Sequence, residues 1–350
     1  MLTVDGSHGE GGGQVLRTSL SLSALLGRDL RVQNIRGGRA KPGLAAQHLA
    51  SVRAAAAVCG AALDGDRMGS EQLEFRPGEV RGGRYQFKIG TAGATTLVLQ
   101  TVLPALLFAR RSSHLQIRGG TNVLWSPTHE YIHAVFLPAI AAMGAETSVE
   151  CLVPGFYPRG GGCLEARISP LDCALQPLPW SDRGGLRSLT AYSLAEARLP
   201  GHIVRRQIEG ARDALGSAGV RTVQSRPAAQ SPGTMLLVAA GFDRGRAGFT
   251  ALGRRGTPAE DVGHEAGEQA ARFLAGAASV DRHLADQLLV CAAIAAGRTQ
   301  FRVDEVTEHL RTNASVIQQF VDVDIAIDES TCVVTVDGVG LPAATGGRDT

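Results

Sequence analysis

The chain has 350 residues, 44% hydrophobic and 19% charged, which is room for two or three domains and a sizeable core and excludes a disordered protein. With 35 basic and 33 acidic side chains, the formal charge is +2. That balance excludes strong non-specific binding to long nucleic acid but not recognition of a short end or a single nucleotide. Glycine is the outlier at 44 residues, clustered without a three-residue period, so collagen is excluded and loops built from backbone are expected. Only Lys41 and Lys88 of the basic residues are lysines, a bias from which no function is read.

Cys59, Cys151, Cys163, Cys173, Cys291 and Cys332 are too sparse for a disulfide framework, and no pair has Cys-x-x-Cys spacing. The start, MLTVDGSHGEGGG, lacks the basic and apolar regions of a signal peptide. No apolar run reaches the ~18 residues of a membrane span. These features predict a reduced, cytoplasmic protein.

In chain order, Leu2–Val4 reads as a strand and Asp5–Gln14 as the Gly-rich loop after it. Val15–Leu26 has helical spacing, Leu30–Ile35 reads as a second strand, and Pro42 is placed to open a helix to about Val58. Tyr85–Ile89 reads as a strand and Ala94–Ala109 as an apolar, buried helix. Ile35-Arg36-Gly37-Gly38 is echoed 82 residues later by Ile117-Arg118-Gly119-Gly120. Each ends a strand before a helix, as a repeated β/α unit would. Pro170–Gly185 reads as a domain junction. Beyond it, Leu186–Ala197, Met235–Ala240 and Gly248–Leu252 are strand-like, and Ile203–Leu215 and Ala259–Ala275 helical. Together they make a module of roughly 95 residues, the size of a small domain. The α/β pattern of the first half then returns, with a helix at Leu284–Ala296 and strands at Thr299–Val303 and Cys332–Val336. The expected division is a large α/β domain over 1–181 and 278–338, an inserted α/β domain over 182–277, and a disordered tail over 339–350.

The loudest short motif is His129-Glu130-Tyr131-Ile132-His133, the spacing of two zinc-ligating histidines and a glutamate base. No third ligand follows at the extended spacing, and Pro138 cuts the helix five residues on. The plainer alternative is a solvated helix start with two surface histidines. Phosphate-handling signals are more numerous. His8–Gln14 lies between strand and helix, where backbone N–H groups can hold an anion. Gln14 stands where a dinucleotide fingerprint has its third glycine, and Glu10 is placed to bind Mg²⁺ next to a phosphate. Gly90–Thr96 forms a second such loop, and Arg36, Arg39 and Lys41 form a basic cluster. Neither lysine follows a glycine, so no Walker A loop exists. His309, just after a strand, becomes a candidate nucleophile in a phosphate-handling chain that lacks a P-loop lysine.

Together GEGGGQVLRTSLSLS, IRGGRAKPGLAAQHL, IGTAGATTLVLQTVLPALLF, GFYPRGGG, LADQL and HLRTN, spanning residues 9 to 313 in order, resemble the RNA 3′-terminal phosphate cyclases. The resemblance implies an ATP-dependent ligase-type enzyme assisted by Mg²⁺ or Mn²⁺. His309 would take AMP from ATP and pass it to an RNA 3′-phosphate. The neighbouring 2′-hydroxyl would then displace AMP and close a 2′,3′-cyclic phosphate. By matching position it implies Glu10 as metal ligand; Arg17, Arg36, Arg39 and Gln47 around the ATP phosphates, with Lys41 in the same cluster; Gln100 as a polar pocket residue; Pro127 on the adenine; and Asp286 and Gln287 at the nucleoside. His283 stands where bacterial relatives carry Tyr, a smaller stacking surface. The implied fold is a large domain of repeated βαβαββ units, like the enolpyruvate transferases, interrupted by a smaller α/β domain. No membrane or obligate protein partner is implied. The other readings are a non-catalytic RNA-binding assembly factor on the same fold, a zinc hydrolase through His129, Glu130 and His133, and, on fold kinship alone, enolpyruvyl transfer.

Overall fold

A computed structural model of the chain describes residues 1–10, 12–216 and 219–344; the last residues of the expected tail, 345–350, lie outside them. The architecture is mixed α/β and repeats one unit. The first unit runs β1 (Leu2–Asp5), α1 (Gly13–Leu26), β2 (Leu30–Gln33), α2 (Ala46–Cys59), β3 (Ala62–Asp64) and β4 (Leu73–Arg76). The second runs β5 (Arg84–Lys88), α3 (Thr95–Leu107) and β6 (Ser113–Gly119), then a broken helix, β7 (Thr147–Val153) and β8 (Gly162–Ile168). The broken helix comprises α4 (His129–Tyr131), a π-helical turn (Ile132–Phe136) and α5 (Leu137–Ala141). A third unit opens with the two-residue β9 (Pro179–Trp180) and is followed by β10 (Leu186–Ala195), α6 (Ile203–Leu215), β11 (Arg221–Ser225), β12 (Thr234–Phe242), β13 (Gly245–Leu252) and α7 (Ala259–Ala275). It resumes with α8 (Arg282–Ile294), β14 (Ala296–Arg302), α9 (Glu308–Phe320), β15 (Asp324–Asp328) and β16 (Val333–Val339).

Three four-stranded sheets share one order: β1-β2-β4-β3, β5-β6-β8-β7 and β9-β14-β16-β15. In each, the first pair is parallel, as a strand–helix–strand crossover requires, and the rest are antiparallel. β10–β13 form a fourth sheet, ordered β11-β10-β12-β13. Strand β12 shows how that sheet is fastened. Its side chains alternate between two faces: Leu236, Val238, Ala240 and Phe242 join the core under α6 and α7, whereas Met235, Leu237 and Ala239 join the main core.

Helix α2 corrects one expectation. Pro42 does not open it; the helix starts at Ala46. Gly43 turns the chain with φ +81° and would put a Cβ 2.3 Å from the Gly69 carbonyl oxygen, while its N–H donates to the Ile35 carbonyl at 2.7 Å. A left-handed residue directly after Pro42 cannot continue a helix. Among the described residues no helix is long and apolar enough to cross a membrane. All six cysteines are free.

Candidate active site

Helices α1, α3, α8 and α9 converge on a cavity of about 500 Å³, within the usual range for a small-molecule site. Local sequence explains the side chains aimed into it. Asp281 caps α8, accepting the N–H groups of His283 and Leu284 at 2.9 and 3.0 Å. Spacing of three and four residues then puts His283, Asp286 and Gln287 on one face. Thr307 caps α9, accepting the Leu310 N–H at 3.2 Å, so His309 stands on the first turn. Helix α1 begins right after the polyglycine loop, and Gly13 is needed there because a Cβ would lie 2.2 Å from His48 Nε2.

Of the residues singled out from sequence, Arg17, Gln100, Pro127, His283, Asp286, Gln287 and His309 line the cavity. Glu10 and Arg39 stand beside His309: Glu10 Oε2 is 2.9 Å from His309 Nε2 and 3.4 Å from Arg39 Nη2. Arg36, Lys41 and Gln47 lie outside the wall. Arg36, at φ +57°, donates from Nη1 to the Gly43 carbonyl at 2.9 Å. Gln47 Oε1 accepts the Ala94 N–H at 3.0 Å and so ties α2 to the second Gly-rich loop. Lys41 is exposed.

A polar network orders this wall. Asp286 Oδ1 accepts from Asn313 Nδ2 at 2.8 Å and also from the amide nitrogen of Gln14. Thr18 Oγ1 donates to Asn313 Oδ1 at 2.7 Å. With its nitrogen committed to a carboxylate, Gln14 turns Oε1 to His309 Nδ1, which must be the donor. On the far side, Gln100 Nε2 donates to Gln287 Oε1 at 2.7 Å.

Burial shapes the ionisation. It pushes the Asp286 carboxyl up to about 7, against the opposing pull of the Gln14 and Asn313 hydrogen bonds and of Arg17. It draws Arg17 down to about 10, with Asp286 opposing. His48 falls to about 3 through burial and the nearby charges of Arg17 and Arg36. His309 is held below its ordinary value chiefly by burial, with Arg17 and Arg39 adding and Glu10 opposing. A neutral His309 with a proton on Nδ1 leaves its lone pair on Nε2.

Nε2 lies 2.9 Å from Glu10 Oε2, and Arg39 Nη2 is the positive charge beside that oxygen, at 3.4 Å. The Glu10 carboxylate, a hard oxygen donor, fits a divalent cation as a single ligand; among the described residues no group of three His, Cys, Asp or Glu side chains could hold a metal. Such an ion would draw its remaining ligands from phosphate oxygens and water, the habit of Mg²⁺.

The His129–His133 segment serves another purpose. Glu130 Oε2 accepts from Asn122 Nδ2 at 2.7 Å, and the helix widens into its π-helical turn at Ile132. His133 is at the surface, but the His129 side chain is only 16% exposed, so the expectation of two surface histidines holds for one. Between them, the Tyr131 hydroxyl donates to Asp281, 2.9 Å from each carboxylate oxygen. Asp281 Oδ2 also accepts the Gly248 N–H at 3.0 Å. One buried carboxylate thereby joins α4, β13 and α8.

Sequence reasoning missed Gln14 as an orienting group, Asn313, His48, Trp125 and Phe249. Asn313 follows His309 by one helical turn, a spacing readable in the sequence. Trp125 and Phe249 also line the cavity, and Trp125 is 94% exposed with φ +60°. No local pattern announces an aromatic held so.

The chain matches the family model described as RNA 3′-terminal phosphate cyclase over residues 8–327. Proteins of that name are similar along nearly its whole length. One from Trichormus variabilis is 44% identical over 345 residues, covering 96% of this chain and 99% of its own. One from Archaeoglobus fulgidus is 43% identical, covering 91% and 95%; one from Salmonella agona is 40% identical, covering 96% of each. The chain belongs to the RNA 3′-terminal phosphate cyclase family.

Proposed function

We propose that this protein converts an RNA 3′-phosphate end to a 2′,3′-cyclic phosphate at the expense of ATP. The reading rests on the family and on one geometric relationship: Gln14 Oε1 meets His309 Nδ1, which leaves Nε2 as the ring nitrogen to carry the lone pair. In the first step Nε2 attacks the α-phosphorus of ATP, the P–N bond forms and pyrophosphate leaves. In the second, an oxygen of the RNA 3′-phosphate attacks the same phosphorus and the P–N bond breaks. In the third, the 2′-hydroxyl attacks the RNA phosphorus, loses its proton and expels AMP. Adenylation is needed because a phosphomonoester oxygen is a poor leaving group.

Each wall has a part in this reading. Pro127 and His283 flank the adenine, Asp286 and Gln287 receive the ribose hydroxyls, and Gln100 braces Gln287. Arg17 on the cavity wall, with Arg36, Arg39 and Lys41 outside it, offsets phosphate charge as it develops, and Gln47 keeps the 90–94 loop in place. Mg²⁺ or Mn²⁺, held by Glu10, would supply Lewis-acid stabilisation of the phosphates. A reducing cytoplasm suits six unpaired cysteines.

The test is to incubate the protein with a 3′-phosphorylated oligoribonucleotide, ATP and Mg²⁺ and then challenge the end with phosphatase. A phosphatase-resistant end formed only with ATP is expected. An end that stays sensitive under saturating ATP and metal contradicts the proposal.

A further inference from the structure

One segment takes no part in the chemistry above, Gly155-Phe156-Tyr157-Pro158-Arg159-Gly160-Gly161-Gly162. It forms the loop from β7 to β8, and both ends are anchored. Phe156 is 4% exposed, the Gly155 N–H donates to Thr121 Oγ1 at 2.9 Å, and the Gly160 N–H donates to the Phe156 carbonyl at 2.8 Å. Gly160 takes φ +67° and packs so closely that a Cβ would lie 2.8 Å from Ala92 Cα. The Arg159 N–H donates to Ser231 Oγ at 3.2 Å, tying the loop to the segment that leads into β12. A loop fastened at this many points does not flap.

Between those anchors, Tyr157, Pro158 and Arg159 project into solvent. Tyr157 is 77% exposed. Neither its hydroxyl nor the Arg159 guanidinium makes a hydrogen bond or ion pair among the described residues, whereas Arg31, Arg187, Arg206, Arg282, Arg298 and Arg311 each have carboxylate partners. A phenol ring and an unpaired guanidinium on one rigid loop offer a stacking face and a phosphate contact side by side, the pair of features that single-stranded nucleic acid uses.

The loop is also in line with the reaction centre. Gly160 touches Ala92; two residues on, the Ala94 N–H is held by Gln47; the next residue, His48, abuts Gly13 at the start of α1. From there Gly12 lies against Arg39, a Cβ being 2.9 Å from Nη2; Arg39 Nη2 is 3.4 Å from Glu10, and Glu10 in turn is 2.9 Å from His309. This band of backbone and cations runs outside the cavity that would take the nucleoside of ATP, leaving it free for a second strand.

We propose that the Tyr157–Arg159 loop docks the RNA upstream of its 3′ end, with a nucleobase stacked on Tyr157 and a backbone phosphate on Arg159. The proposal rests on the cyclase reading above and identifies where the body of its substrate lies.

The experiment uses the full-length protein and fluorescence anisotropy with a single-stranded, 3′-phosphorylated ten-nucleotide RNA. Tyr157→Ala is expected to raise Kd roughly tenfold or more, as loss of one base–aromatic stack does, and Tyr157→Trp to restore binding. Arg159→Ala is expected to flatten the slope of log affinity against log salt by about 0.7. Both variants are expected to form the protein–AMP adduct at the wild-type rate without RNA, and to use a nucleoside 3′-phosphate as the wild type does. An oligonucleotide lacking one upstream base is expected to bind wild type and Tyr157→Ala equally, which locates the stacked base. An unchanged Kd for the ten-mer, or an equal loss with the single nucleotide, overturns the proposal. Should the wild type show no adenylation, the cyclase reading fails by itself: binding of the ten-mer that Tyr157→Ala weakens still supports the docking loop, and absence of binding overturns it.

Discussion

The hydrogen bond from Gln14 to Asp286 decides which ring nitrogen of His309 carries its proton. Asp286 also accepts from Asn313, so it presents an acceptor, Gln14 presents nitrogen to it, and the Gln14 oxygen is left for His309 Nδ1. Gln14→Leu removes the orienting oxygen without adding charge. The expected result is an adenylation rate lower by about 10- to 100-fold, the usual cost of losing a partner that orients a functional histidine, with little change in KM for ATP. A rise in KM alone would assign Gln14 to substrate contact instead.

Asp286 makes stability depend on pH. Its folded pKa of about 7 lies above the ordinary value of 3.8, so between these values the folded chain keeps a proton that the unfolded chain releases. Its contribution is fully present below about 4 and is lost as pH rises toward about 7. Asp286→Asn should flatten this fall in urea titrations across that window. A variant that keeps the full wild-type slope would show that another group is responsible.

The Tyr131–Asp281 contact gives the histidine-flanked segment a structural role. Tyr131→Phe leaves Asp281 with its three backbone donors and removes one hydrogen bond, a loss of about 1 kcal/mol in urea denaturation. Because Asp281 caps the helix bearing His283, Asp286 and Gln287, KM for ATP should rise as well. His133→Ala, at the surface of the same segment, is expected to change neither activity nor metal content. Stoichiometric zinc lost in that variant would revive the hydrolase reading.

Trp125 stands at the cavity mouth with a backbone conformation that non-glycine residues seldom adopt. His283 offers less area to a purine than Tyr would, and Trp125 supplies an aromatic face on the same cavity. Trp125→Ala should raise KM for ATP by roughly fivefold or more while leaving the adenylation rate at saturation within a factor of a few. Steady-state adenylation kinetics check this, and an unchanged KM would place the ring off the nucleotide.

Much of the fold was legible because hydrophobic period reports secondary structure directly: α6 and α7 begin and end where their patterns do. Tertiary pairing left no such trace. β9 has two residues and pairs with β14 across more than a hundred intervening positions, and Pro42 reads as a helix opener because the left-handed turn at Gly43 depends on Gly69 beside it. At the site, His309, Glu10 and Asp286 stood out as reactive residue types in recognisable segments. Gln14 and Asn313 did not, since an amide reveals its role only by what it touches.

The most direct test of the proposal that His309 is the nucleophile is incubation with ATP labelled at the α-phosphate and Mg²⁺, followed by denaturing electrophoresis of wild type and His309→Ala. A labelled band in the wild type that is acid-labile and absent from His309→Ala is the expected result. A band of equal strength in His309→Ala, or no band in the wild type with ATP and metal in excess, would contradict covalent adenylation through His309.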